Sequence, residues 1–314
     1  MTNWKILLTD GLNESGKVIL RAAAQVDDRN DISAEDLLKV VGDYDALIVR
    51  GRTKVTPEVL EAAKKLKVIG RAGVGVDNIN LPAASEHHVT VVNAPKSTTL
   101  AVAELTLGLM LAVARSIPRA DSSLKTGGWL KKQLEGVELR GKTLGVVGMG
   151  NIGTAIGRMA ASLGMQVIGY DPLIPAGEIE ARGAKAVTLK ELYASSDFIT
   201  LHVPLNDATR GMINAETLAQ MKPGVRLICA ARGGVIDEAA LLQALQSGQV
   251  AAAGLDVFAK EPPGMTELVS HPNVVATPHI GAQTEEAQVR ASEDIASEVL
   301  AGLRGEPLRW KVNK

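Results

Sequence analysis

Gly148, Gly150 and Gly153 follow an apolar run, residues 144–147, directly. A helix-type run, 154–163, comes next, and after Gly164 a short strand-type run, 166–170, ends at Asp171. Strand, Gly-x-Gly-x-x-Gly, helix, strand and acid within about 30 residues is the context in which a dinucleotide is held. Gly148 permits the tight turn, Gly150 lets backbone approach a pyrophosphate, and Gly153 brings helix close to sheet. Amides at the helix start then face the phosphates, where the helix dipole favours negative charge. Asp171 lies 18 residues beyond Gly153 and is placed to accept hydrogen bonds from an adenosine ribose diol. A 2′-phosphate there would meet a carboxylate, and the next residues are Pro172 and Leu173 rather than an arginine. The expected cofactor is therefore NAD, not NADP.

A dinucleotide fold leaves catalysis to groups beyond its strand ends. Cys229-Ala-Ala-Arg232-Gly-Gly ends one strand with an arginine on a glycine-rich turn. Asp256-Val-Phe-Ala-Lys-Glu261-Pro-Pro ends the next with a carboxylate fixed by prolines, and Thr277-Pro-His279-Ile-Gly ends the last with a histidine between Pro278 and Gly281. Together they suit hydride transfer between a cofactor and a carbonyl carbon. The arginine would hold a substrate carboxylate bidentately and polarise the carbonyl. The histidine would exchange the proton, and a carboxylate would orient it. Blander readings stand beside these: His279 as a structural strand-end residue, Arg232 as a turn contact, Glu261 as a solvated loop charge.

These groups need rigid elements to position them. Strand-type runs at 6–9, 46–49, 68–69 and 90–92 alternate with helix-type runs at 14–24, 34–41, 57–66 and 82–87. Alternation resumes at 143 with strands at 198–201, 226–230, 251–257 and 274–276 and helices at 238–246 and 285–303. Continuous apolar strands separated by helices imply parallel sheets with both faces covered. The expected fold is α/β, two Rossmann-like doubly wound parallel-sheet domains. Residues 98–115 read as a helix apolar nearly all round and hence buried, and 118–141 as a looser excursion.

Length and composition narrow the remaining classes. The 314 residues suggest two domains, and 46% hydrophobic content supplies a sizeable core. A net charge of −1 gives no basic field for nucleic acid or anionic lipid. The single cysteine, Cys229, excludes an internal disulfide and a cysteine zinc site; it reads as buried filler, and no metal is expected. Met1-Thr-Asn-Trp-Lys lacks a signal-peptide layout. The apolar stretch 100–114 carries Glu104 and falls short of a membrane span. A cytoplasmic protein is expected.

Ala94-Pro, Ala103-Glu-Leu, residues 144–153, His202-Val-Pro, Ala231-Arg-Gly-Gly, Gly254-Leu-Asp-Val-Phe, Glu261-Pro and Pro278-His-Ile-Gly resemble the NAD-dependent D-2-hydroxyacid dehydrogenases. The likeness runs from about residue 5 to 308 and is greatest to the branch that oxidises 3-phospho-D-glycerate. It implies a discontinuous substrate-binding domain, 1–96 plus 283–314, a cofactor domain, 97–282, and a hinge about which they close. It also implies a homodimer or dimer of dimers built through the long helix and the arm after it. Carried over, His279 is the acid/base, Glu261 its partner and Arg232 the substrate anchor. Asn151 and Ile152 sit at the pyrophosphate turn and Asp171 at the ribose. His202, Val203 and Pro204 line the adenosine side, Ala230 and Asp256 face the nicotinamide, and Gly281 closes the cofactor set.

The same resemblance makes Arg71-Ala-Gly73-Val74-Gly75 a cradle for the substrate carboxylate. Arg50, Arg71 and Lys131, the last from a neighbouring subunit, become phosphate contacts, supplemented by Arg52, Lys54 and Lys132. Thr98 stands where that branch usually has a phosphate-contacting Asn, and Val74 where many members have Thr. Many members also continue into C-terminal domains that sense serine; none is expected here, nor serine feedback through one. The alternatives are a glyoxylate or hydroxypyruvate reductase, another D-2-hydroxyacid enzyme, and an NADH-sensing corepressor-like binding protein.

Overall fold

The structure is a computed structural model describing residues 4–313; Met1-Thr-Asn, the start of the stretch read for a signal-peptide layout, lies outside the described residues. The chain divides into two compact units, one holding the described residues up to Thr98 and from Ala282 onward, the other Thr99–Gly281.

The first unit opens with strand β1 (Lys5–Leu8), helix α1 (Glu14–Arg21), β2 (Gln25–Asp28), α2 (Ala34–Val40) and β3 (Ala46–Val49). It continues through α3 (Pro57–Ala62), β4 (Val68–Arg71), α4 (Leu81–Glu86) and β5 (Thr90–Asn93). The sheet order is β2-β1-β3-β4-β5, and the named strands pair in parallel. β3, Ala-Leu-Ile-Val, is buried along its whole length, as a strand covered on both faces must be. β2, Gln-Val-Asp-Asp, escapes the sequence reading because it is a polar edge strand whose neighbour in the sheet is β1. Thr56 caps α3 through its side chain, with Pro57 in the first turn, as the sequence expects. The helix nevertheless stops at Ala62, short of residue 66.

The second unit begins with α5 (Thr99–Arg115) and α6 (Ile117–Lys125). The sequence reads a looser segment after Pro118, but that proline sits in the first turn of α6, where its missing N–H costs no helical bond. Then come β6 (Thr143–Val147), α7 (Asn151–Ser162), β7 (Gln166–Tyr170), α8 (Ala176–Ala181), β8 (Lys185–Ala186) and α9 (Leu189–Ser195). β9 (Phe198–Leu201), α10 (Ala215–Ala219), β10 (Val225–Cys229), α11 (Glu238–Ser247), β11 (Val250–Leu255) and β12 (Val274–Ala276) complete it. The order β12-β11-β10-β9-β6-β7-β8 contains the doubly wound dinucleotide arrangement with one further strand at an edge. α5 buries Leu109 and Met110, each contributing about 2 kcal/mol. It is not buried all round, since Leu100 and Leu111 remain exposed. No single helix among the described residues is long and apolar enough to cross a membrane.

The chain then returns to the first unit as α12 (Glu285–Arg304). Gly70 of β4 makes room for it, because a Cβ there would lie 2.5 Å from Val299 and 2.9 Å from Ile295. The N-terminal domain is therefore discontinuous in sequence.

Candidate active site

In the second unit the strand order reverses between β6 and β9, and ligands of such sheets gather beyond the strand ends at that point. Gly148 follows β6 with φ +93°, and a Cβ on it would lie 2.5 Å from the His202 carbonyl beyond β9. Gly153 packs closer still, a Cβ there falling 1.9 Å from the Gly148 carbonyl. Gly150 differs: it caps α7 and has nothing within 4 Å of its Cβ position. Open space at the helix N-terminus, beginning at Asn151 and Ile152, suits a pyrophosphate. Asp171 Oδ2 accepts the Met149 N–H at 2.9 Å and Oδ1 the Leu173 N–H at 2.9 Å, so the carboxylate ties β7 to the glycine turn. These residues fit a dinucleotide. The structure adds Arg182, whose guanidinium donates to the Met149 carbonyl and pairs with Glu178. The only sequence signal for it is the i,i+4 spacing of that pair.

His202 Nε2 is 2.9 Å from Thr200 Oγ1, and its buried Nδ1 has no hydrogen-bond partner. Burial pushes the ring's pKa down to about 4, so it is neutral near pH 7. Val203 is half-buried and Pro204 exposed. As pH falls from about 6.5 towards 4, the unfolded chain takes up a proton that the folded ring refuses, and stability falls. Between pH 7 and pH 5 the wild type should lose about 2 kcal/mol more than His202→Gln, measured by urea unfolding. Parallel stability profiles would show that the ring does not titrate this way.

Beyond β10, β11 and β12 the three chemical strand ends come together within this unit. His279 Nδ1 lies 2.8 Å from Glu261 Oε2, and Glu261 Oε1 accepts the Phe258 N–H at 3.1 Å. With Glu261 ionised, Nδ1 carries the proton and Nε2 is the basic nitrogen. The His279 side chain is half exposed, within reach of solutes. Its φ of +54° is left-handed, a strain that persists only where surroundings over-determine it.

Asp256 supplies that constraint. It is 1% exposed. Oδ1 accepts the Thr277 hydroxyl at 2.6 Å and the Ile280 N–H at 2.8 Å, and Oδ2 accepts the Gly281 N–H at 2.8 Å. The carboxylate thus grips the turn on both sides of His279. Arg232 follows β10, and its Nη1 donates to the Ala231 carbonyl at 2.6 Å. A Cβ on Gly233 would lie 1.8 Å from the Phe258 carbonyl, so the arginine turn and the glutamate loop pack backbone to backbone. Ala230 is buried at this strand end. Burial pushes the Cys229 thiol up to about 11, which makes it the inert filler expected.

In the first unit Asp10 organises the end of β3. Its carboxylate accepts the Arg50 N–H at 2.7 Å, the Thr53 N–H at 3.1 Å and the Thr53 hydroxyl. Desolvation holds the half-buried Arg50 guanidinium below its usual pKa, with Asp10 opposing. Arg52 is instead engaged with the Thr9 and Ile32 carbonyls and with Asp10. Arg71 folds over Gly73, where a Cβ would lie 1.5 Å from its Nη1. Val74 is half-buried beside Gly75, and Thr98 is buried at 4%. Lys131 and Lys132, in the second unit, lie exposed on a short 3-10 turn.

A reversal-point glycine turn, a ribose-side acid and a His–Glu pair in one domain define a dinucleotide-dependent oxidoreductase class. The family described as D-isomer specific 2-hydroxyacid dehydrogenase, NAD binding domain, matches residues 107–281, and the chain belongs to it. The chain is 50% identical over 310 residues, 98% of its length, to D-3-phosphoglycerate dehydrogenase of Methanocaldococcus jannaschii, and spans 59% of that relative. Its structure is similar to a glyoxylate reductase from Paecilomyes thermophila (32% identity, 99% of each chain, TM-score 0.92). It is also similar to a D-lactate dehydrogenase from Aquifex aeolicus complexed with NAD and lactic acid (29% identity, 96% of each chain, TM-score 0.84).

Proposed function

We propose that this protein oxidises 3-phospho-D-glycerate to 3-phosphohydroxypyruvate with NAD, the first step of serine biosynthesis. The observation that carries the dehydrogenase reading is the His279–Glu261 pair at 2.8 Å, held by Asp256 and neighboured by the Arg232 turn. Bound NAD supplies the hydride acceptor. Gly148, Gly150, Asn151, Ile152 and Gly153 would hold its pyrophosphate, Asp171 its ribose, and the segment 202–204 its adenosine side. His279 Nε2 takes the proton of the C2 hydroxyl, and Glu261 stabilises the resulting imidazolium. Arg232 grips the substrate carboxylate and the carbonyl oxygen that forms.

In this reading residues 97–282 are the NAD-binding domain and 1–96 with 283–314 the substrate-binding domain. Arg71, Gly73, Val74 and Gly75 cradle the carboxylate, while Arg50, with Lys131 of a second copy and Thr98, meets the phosphate. The 50% identity to the Methanocaldococcus jannaschii enzyme supports the phosphorylated substrate. Exposed Leu100, Leu111, Ile117, Leu124 and Trp129 on α5, α6 and the following arm support a homodimer or dimer of dimers; a monomer mass by light scattering would withdraw it. A cytoplasmic setting agrees with this chemistry.

The test is NAD reduction with 3-phospho-D-glycerate beside D-glycerate, D-lactate and 2-hydroxyglutarate, with glyoxylate and hydroxypyruvate in reverse. The phosphorylated acid should be preferred by about 10²-fold in kcat/KM, and Arg50→Ala should remove most of that preference. Equal or better use of unphosphorylated acids would favour the glyoxylate reductase reading, to which the likeness to the Paecilomyes thermophila enzyme gives support. NADH binding without turnover on any of them would leave a sensor.

A further inference from the structure

After α12 the chain runs back along the free edge of β5. The Val312 N–H donates to the Val91 carbonyl at 2.8 Å, the Asn93 N–H donates to the Trp310 carbonyl at 3.3 Å, and Val92 and Lys311 form an antiparallel bridge. Asn313, 9% exposed, accepts the Val91 N–H at 2.8 Å through Oδ1. Its Nδ2 donates to the Val89 carbonyl at 2.8 Å and to Ser85 Oγ at 3.1 Å. Residues 309–313 thus cover an edge that would otherwise present unpaired backbone.

Where this strap begins, a buried charge grips it. Glu298 of α12 is 2% exposed, and a buried carboxylate is tolerated only when its acceptors are filled. Its Oε2 accepts the Arg309 N–H at 3.0 Å and the Trp310 N–H at 3.1 Å, and its Oε1 accepts Arg309 Nε at 2.7 Å. The Arg309 guanidinium lies 4.1 Å from the Trp310 ring centroid.

The other end of the relay is the loop 73–75. Asn93 Nδ2 donates to the Val74 carbonyl at 2.7 Å, and the Ala94 N–H donates to the Gly73 carbonyl at 2.9 Å. Asn93 therefore joins the strap by its backbone and the loop by its side chain. A loop that presents N–H groups to an anion must keep its carbonyls turned away, and these two bonds do that.

We propose that the strap 309–313, clamped by Glu298, sets the conformation of the loop 73–75 through Asn93, making Asn93 and Glu298 positioning residues for the substrate anion. The inference rests on the reading of that loop as the carboxylate cradle. Asn93 is tied to the strap by its backbone and to the loop by its side chain; without the strap its strand end keeps its pairing with β4 and the loop contact but loses the outer edge. Errors of about 1 Å in such a shell weaken recognition steeply.

The test compares Asn93→Ser, Glu298→Gln and Gly73→Ala in the full chain. Steady-state kinetics use 3-phospho-D-glycerate, NAD affinity is read by fluorescence, and hydrogen exchange is followed over 73–75. Asn93→Ser and Glu298→Gln should each raise the substrate KM about tenfold, speed exchange over 73–75, and leave NAD affinity and kcat within about threefold. Should Glu298→Gln fail to fold, Asn93→Ser decides the matter, because its side chain is not enclosed in the core. If Gly73→Ala raises the substrate KM while the other two leave it unchanged, the relay is refuted and the cradle stands. If Gly73→Ala also leaves it unchanged, the cradle reading falls and takes the relay with it.

Discussion

His279→Ala is expected to lower kcat by about 10³-fold or more, while NAD affinity stays within about twofold. A positioned general base contributes about 10²–10⁴-fold, and 10³ corresponds to about 4 kcal/mol of barrier. The expectation follows from geometry: Nδ1 faces Glu261 at 2.8 Å, so the ring has one tautomer when Glu261 is ionised and one nitrogen left for substrate. Glu261→Gln should cost less, about 10²-fold. It keeps an acceptor for the Phe258 N–H but can offer its amide N–H to Nδ1 and stabilise the wrong tautomer. Single-turnover kinetics and fluorescence titration with NADH separate these effects. If His279→Ala lowered NAD affinity and Tm as much as turnover, or left kcat within fivefold, the histidine would be structural. Relief of its left-handed φ gives the opposite sign on stability: replacement by Gly should not destabilise the turn.

Arg232→Ala is expected to lower kcat/KM by about 10³-fold, divided between KM and kcat, again without loss of NAD affinity. A guanidinium that binds a carboxylate contributes to ground-state binding, and its contact with a developing carbonyl oxygen contributes only as the reaction proceeds. Arg232→Lys should recover only part of the loss, because an ammonium cannot reproduce the planar two-point contact. The Arg232 side chain also donates to the Ala231 carbonyl at 2.6 Å. If that local contact were its whole role, the alanine variant would show a lowered Tm and an unchanged kcat/KM.

The glycine turn after β6 is legible in sequence because its geometry is local. Gly148, Gly150, Gly153 and Asp171 occupy one strand–turn–helix–strand unit, and sequence spacing alone specifies such a unit. Most buried strands were legible for a related reason: a strand covered on both faces needs an unbroken apolar run, as in β3 and β9. β2 was not, because an edge strand with a polar sequence owes its state to its partner β1. α6 is hidden in the sequence because Pro118 has the signature of a breaker, yet it lies in the first turn of the helix.

By itself the sequence determined the α/β alternation, the dinucleotide turn and the residue types fit for hydride chemistry at three strand ends. Only tertiary structure decided how those strand ends are used. Asp256 and Glu261 follow the same strand, and the sequence points to Glu261, beside its prolines, as the partner of the histidine without showing what Asp256 does. Yet Asp256 is enclosed and saturated by Thr277, Ile280 and Gly281, while Glu261 reaches His279. Arg182 joins the glycine turn, Arg52 is drawn onto the Thr9 and Ile32 carbonyls, and residues 309–313 reach back to β5. Each of these depends on hydrogen bonds between residues far apart in the chain, and no local spacing encodes which donor will fill which acceptor once the sheet orders are set.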